Sequence, residues 1–123
     1  MHHERTQADL ERALAATDWV FWGGLCVSQG VTIQWKKYRR LKNHFLYGTY
    51  DPATKIVELN IRLSEPDVPE FVLLGVIHHE LCHHVVGPEH NSDFMEMEQK
   101  NPNYWKFSRW CESYMGSSGS WVG

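Results

Sequence analysis

Phe71-Val72-Leu73-Leu74-Gly75-Val76-Ile77-His78-His79-Glu80-Leu81-Cys82-His83 is the stretch on which the fold turns. An apolar run leads straight into a His-Glu-x-x-His pattern. On a helix, positions four apart lie about 40° apart around the axis and about 6 Å apart along it. His79 and His83 therefore point the same way, at the spacing two imidazoles need to hold one zinc ion. Glu80 follows the first of them, where its carboxylate can take the proton of a water on that ion. The apolar run requires this helix to be buried. The pattern predicts the chemistry of a zinc-dependent peptidase, with Glu80 as the catalytic base.

Outward from the motif, Gly87-Pro88 stops the helix. His90 comes seven residues after His83, far enough for the chain to turn back and offer a third ligand. Spacing makes His90 the first choice. Glu89, Glu96 and Glu98 are rivals, because carboxylates also complete zinc sites. Five of the eight histidines fall between positions 78 and 90, which a merely solvated helix face does not require. His78 and His84 sit about 100° round the helix from their neighbouring ligands and are expected at the surface or behind the ligands. Cys82 is expected to be a small buried packing residue, not a ligand.

The helix is expected to run from about 68 to 86, opened by a capping box of Asp67 and Glu70 near Pro69. A first helix is expected over Thr6 to Trp22, with Thr6 and Asp9 as its start signal and Gly23-Gly24 as its stop. Val31 to Trp35 alternates like a strand. Phe45 to Tyr50 and Lys55 to Asn60 read as two more, joined by a turn at Asp51-Pro52-Ala53-Thr54. Ser92 to Lys100 reads as a short amphipathic helix. Asn101-Pro102 breaks it and starts another, carrying Tyr104, Trp105, Phe107, Cys111 and Tyr114. Residues 1–115 are expected to form one domain and 116–123, rich in Ser and Gly, a flexible tail.

The chain has 123 residues, 42% of them hydrophobic, enough for one compact domain with a modest core. A metal tying helix to loop would add stability that such a core lacks. Cys26, Cys82 and Cys111 are odd in number and widely spaced, which favours a reducing, cytoplasmic setting over a disulfide framework. No stretch reads as a signal peptide or a membrane span. The net charge of −3 argues against a generally basic nucleic-acid binder. One patch runs the other way. Lys36-Lys37-Tyr38-Arg39-Arg40-Leu41-Lys42 holds five of the twelve Lys and Arg residues beside Trp35 and Tyr38. Such a patch can hold a nucleic-acid strand by phosphate contact and stacking. Its plainer reading is a solvated loop between strands.

The ordered set of pieces resembles the SprT-like metallopeptidase family. These are Phe21-Trp22-Gly23-Gly24-Leu25, a strand ending in Trp35, a basic stretch, Gly48-Thr49-Tyr50-Asp51, Ile61-Arg62-Leu63-Ser64-Glu65-Pro66, the His-Glu-x-x-His motif, and His90 followed by Phe94. The stretch from Val57 to Phe94 is also similar to the related YgjP-type and WLM metallopeptidases. The resemblance covers roughly residues 6 to 115. It implies an α+β, minimal zincin-like domain, with a small mixed sheet packed against the active-site helix. It also implies Zn2+ on His79, His83 and His90, with Glu80 as base. The interval from His83 to His90 is shorter than in family members with a long insertion. No cysteine-rich ribbon follows within these residues, so the resemblance does not extend to dependence on DNA.

The expectation is therefore a zinc peptidase acting on protein or peptide, including unfolded or DNA-associated protein. Weak nucleic-acid contact is expected at Lys36, Lys37, Arg39 and Arg40. The rival is a zinc-bearing DNA- or protein-binding module without turnover, against which Glu80 speaks, since structural zinc needs no base. A hydrolase of non-peptide substrates is a second rival. Tyr104 and His84 are both candidates to stabilise an oxyanion, and the sequence does not choose between them.

Overall fold

The computed structural model describes residues 4–37, 44–115 and 120–122. The chain begins with helix α1 (Gln7–Trp22). Thr6 accepts from the Asp9 backbone N–H, and Asp9 accepts from the Thr6 N–H, so the expected capping box is present. Gly23 ends the helix in the left-handed region at φ 61°, which a residue without Cβ adopts freely. The Gly-Gly stop does not lead directly to a strand. A single helical turn, α2 (Leu25–Ser28), intervenes. The buried Asp18 carboxylate accepts from the N–H groups of Cys26 (3.0 Å) and Val27 (2.9 Å), filling donors that a short helix leaves open.

The strands are β1 (Thr32–Lys36), β2 (His44–Leu46), β3 (Gly48–Asp51), β4 (Ile56–Asn60) and, at the far end, β5 (Ser120–Val122). Three form a mixed sheet in the order β1-β4-β3, with β1 parallel and β3 antiparallel to the central β4. β2 and β5 pair in parallel as a separate ribbon. Within the stretch 116–123 that reads as a tail, Ser120–Val122 are thus paired strand. The expected strand over Phe45 to Tyr50 is interrupted at Tyr47. That ring is fully buried, and its hydroxyl donates to the Cys111 carbonyl at 3.1 Å. Asn60 braces the break, its side-chain amide donating to Leu46 O and its backbone N–H to Tyr47 O, each at 2.9 Å.

A 3-10 turn (Ile61–Ser64) leads to α3 (Glu70–Val85), then α4 (Ser92–Glu98) and α5 (Tyr104–Met115). α3 is two residues later at its start than the sequence suggests, and its expected Asp67–Glu70 capping box is absent. Arg62 explains this. Its guanidinium takes both Asp67 carboxylate oxygens at 3.0 Å, a two-pronged pairing stronger than a single cap bond. α3 is the spine of the molecule. Val72, Val76, Ile77 and Leu81 are buried with Val57 and Leu59 of β4 and Leu10 and Leu14 of α1. Two glycines permit the close approaches. A Cβ on Gly75 would stand 2.5 Å from the Phe107 ring of α5, and one on Gly48 would stand 3.1 Å from Val76. The result is an α+β domain with a small mixed sheet against a buried helix. Among the described residues no helix is long and apolar enough to cross a membrane.

Candidate metal centre

α3 carries His79 and His83 one turn apart, and the loop after it returns His90 to the same place. One ligand atom from each of the three lies within 4.8 Å of the others, a group that could hold a metal ion. The Nε2 atoms of His83 and His90 are 3.0 Å apart. Their other nitrogens explain the orientation. His83 Nδ1 donates to the Gly87 carbonyl at 3.0 Å, so the turn at Gly87-Pro88 holds this ring as well as ending the helix. His79 Nδ1 pairs with the Glu98 carboxylate. An imidazole whose one nitrogen donates to a carboxylate or carbonyl presents the other as a lone pair, the usual arrangement behind metal-ligating histidines. His79 and His83 are held in this way, and together with His90 they make a three-imidazole set that suits a divalent ion of intermediate softness, so the residues present fit a bound metal.

Phe94 packs beneath all three rings, with centroids 5.0 Å from His79, 4.5 Å from His83 and 4.8 Å from His90. It lies one turn before Glu98 on α4, so one helix face supplies both the apolar floor and the carboxylate behind His79. Of the rival ligands, Glu98 therefore stands behind the cluster. Glu89 and Glu96 are exposed and outside it.

Glu80 is fully buried, and among the described residues neither carboxylate oxygen has a hydrogen-bond partner. Burial raises its pKa to about 7, with Glu98 adding to the rise and His79 opposing it. A buried, unpaired carboxylate is costly, and active sites are where such groups are retained.

The flanking residues separate. His78 is not at the surface or behind the ligands: it is 1% exposed and faces α1. Its ring lies against Trp22 (5.3 Å, 15° between planes) and Phe21 (4.3 Å). Cys82 is buried one turn on, its Sγ 3.8 Å from His78 Nδ1, and burial pushes its thiol pKa upward. His84 is half-buried and bridges two elements. Its Nδ1 meets the Tyr50 hydroxyl at 2.6 Å and its Nε2 meets Gln29 Oε1 at 2.7 Å. Burial, then Lys55, lowers its pKa, which favours the neutral ring.

Two cavities meet at the cluster. One of about 380 Å³ is shared by His79 and His90 with Tyr104 and has buried Tyr47, Phe94 and Phe107 in its wall. The other, about 490 Å³, is shared by His83 and His90 with Thr49 and Tyr50 of β3 and with His84. Tyr104 and His84, the two oxyanion candidates, thus line different cavities. Sequence reading missed Glu98's place, Phe94's floor and Tyr50. The four-residue step from Phe94 to Glu98 was the available signal for the first two.

The basic run is only partly described. Lys36 lies 3.9 Å from Glu58 across the β1–β4 pair, while Arg39 and Arg40 fall outside the described residues. What the fold and site define is a small α+β domain with a three-histidine group that could hold a metal ion. No protein-family model matches the chain, and no match is found among curated proteins.

Proposed function

We propose that this chain is a zinc-dependent peptidase of the SprT-like kind, with a zincin-like arrangement of sheet and helix. The observation that carries the reading is the fully buried, unpaired Glu80 carboxylate on the helix that presents the His79-His83-His90 group. His79, His83 and His90 would hold the ion. Bound there, zinc would supply Lewis acidity, polarising a scissile carbonyl and acidifying water.

Glu80 is suited to be the base. Unpaired by any group of the described chain, it gains a positive neighbour when a cation is present, which favours its carboxylate form. It then accepts a proton from the attacking water and returns it to the leaving amine. Burial excludes bulk water from the carboxylate and keeps it a stronger base than a solvated one. Gly87 O and Glu98 keep two ligand rings turned to the cluster. β3 is an edge of the mixed sheet and borders the larger cavity through Thr49 and Tyr50. An extended peptide lying along it would bind through backbone groups with little sequence preference, which suits unfolded segments.

The test is Glu80→Gln. The variant should keep zinc and fold but lose about 10²–10⁴ of its rate on an unfolded protein. Cleavage at the parent rate would reject the mechanism. Parent protein that binds zinc and cleaves nothing, with or without single-stranded DNA, would leave a binding module as the better reading.

A further inference from the structure

A hydrogen-bond chain reaches the larger cavity beside the histidine group, and its direction is fixed by its far end. Gln29 Oε1 can only accept. His84 Nε2, 2.7 Å away, must therefore carry the ring's hydrogen. A neutral imidazole has one such hydrogen, so Nδ1 is an acceptor. The Tyr50 hydroxyl, 2.6 Å from Nδ1, must donate to it. Its single proton is then used. What Tyr50 offers the cavity is an oxygen lone pair, and among the described residues nothing donates to that oxygen.

The scaffold holds each member in place. Gln29 caps the end of α2, which Asp18 anchors, and its own carbonyl accepts from Lys55 Nζ of the β3–β4 turn at 2.9 Å. His84 immediately follows the ligand His83 on α3. Tyr50 sits on the sheet edge. The chain Gln29–His84–Tyr50 thus spans three elements and ends at the cavity that His83 and His90 share.

We infer that Tyr50 is a substrate-contacting residue whose hydroxyl accepts a hydrogen bond from a backbone N–H of an extended polypeptide, and that His84 and Gln29 are positioning residues that set its polarity. The inference rests on the peptidase reading for the nature of the ligand, but not for the direction of the chain. It also removes His84 as an oxyanion donor in this state, since its one N–H is given to Gln29.

Two measurements test it. Nitrogen-15 shifts of the His84 ring should show the Nε2–H tautomer in the parent and in Gln29→Glu, whose carboxylate also only accepts. Gln29→Leu should lose that bias. An Nδ1–H tautomer in the parent overturns the inference whatever the protein cleaves. The second measurement is anisotropy with fluorescein-labelled, carboxymethylated casein as the extended polypeptide, in the zinc-loaded Glu80→Gln background to prevent turnover. Removing one hydrogen bond by Tyr50→Phe should weaken binding about fivefold. Gln29→Leu should weaken it in the same direction, and Gln29→Glu should restore it. Unchanged binding by Tyr50→Phe overturns the contact alone and leaves the peptidase reading standing. Equal weakening by Gln29→Leu and Gln29→Glu overturns the positioning role. Failure of the background protein to bind casein at all overturns both the contact and the peptide site on which it rests.

Discussion

His78 and His79 are neighbours on one helix and live in opposite chemistries. A step of about 100° along α3 turns one ring into an aromatic slot and the other toward two more imidazoles. His78 is stacked on Trp22 of α1 and lies tilted against Phe21, with a thiol one turn away. His79 has the Glu98 carboxylate behind it and His83 and His90 in front. Both are almost fully buried, so burial does not separate them. What separates them is the partner on the ring's second nitrogen. A carboxylate there makes the first nitrogen a better ligand, whereas an aromatic wall only penalises charge. A histidine count around the motif would treat the two residues alike.

The largest expected effect breaks the comparison most directly. His83→Ala and His90→Ala should each weaken zinc binding by more than about 100-fold, beyond the loss usual for an outer partner. His78→Leu should leave it within about twofold, because among the described residues its close contacts are Phe21, Trp22 and Cys82, none of them a member of the histidine group. Competition against a chromophoric chelator reads all three. Equal losses in the His78 and His90 variants would mean that the two sides of α3 are not distinct.

Next in size is Glu98→Gln. An amide still reaches His79 Nδ1 but carries no charge, so zinc affinity should fall about 10–100-fold. The same chelator competition gives the number. Affinity equal to the parent would show that Glu98 does not sharpen His79, and the contrast with His78 would then rest on the neighbouring rings alone.

Much of this was legible in the sequence, and for local reasons. Helical spacing placed His79 and His83 together, and Gly87-Pro88 announced the reversal that returns His90. Thr6 and Asp9 capped α1 as their spacing required. The failures share a cause: a polar group had two suitors and the distant one won. Asp67 left its local cap for the Arg62 fork. Asp18 lies in α1 as read, but its carboxylate also reaches past Gly23-Gly24 to hold α2, a contact that helical spacing does not show. Glu98, weighed as a ligand, went behind His79 because the crossing of α4 over α3 put it there. Tyr47 broke a strand whose alternation looked continuous, since its buried hydroxyl needed the Cys111 carbonyl. The strand and helix positions and the His79–His83 pair followed from the chain's periodicities, the small mixed sheet was what the family resemblance implied, and the zinc, the base and the substrate are proposals.

A further expected effect concerns the aromatic side of the helix and acid. Burial lowers the His78 pKa from 6.5 to about 4, with Glu98 opposing the drop and His79 adding to it. The sign follows from where the proton binds. The unfolded chain takes up a proton on His78 near its ordinary value, while the folded chain resists until about 4. His78 therefore contributes stability that is fully present above the unfolded pKa and is lost as pH falls from there toward the folded one. By about pH 5 the loss should be about 2 kcal/mol relative to neutral solution. Protonation elsewhere in the chain also changes stability with pH, so the quantity to measure is a difference. Urea unfolding of parent and His78→Leu in chelator, at matched pH values, cancels the contributions they share. The stability gap should shift in favour of the leucine variant as the pH drops. A gap that stays constant from neutral solution to about pH 5 would mean that His78 is protonated as readily in its slot as in water. The two faces of α3 would then differ in geometry but not in how they treat charge.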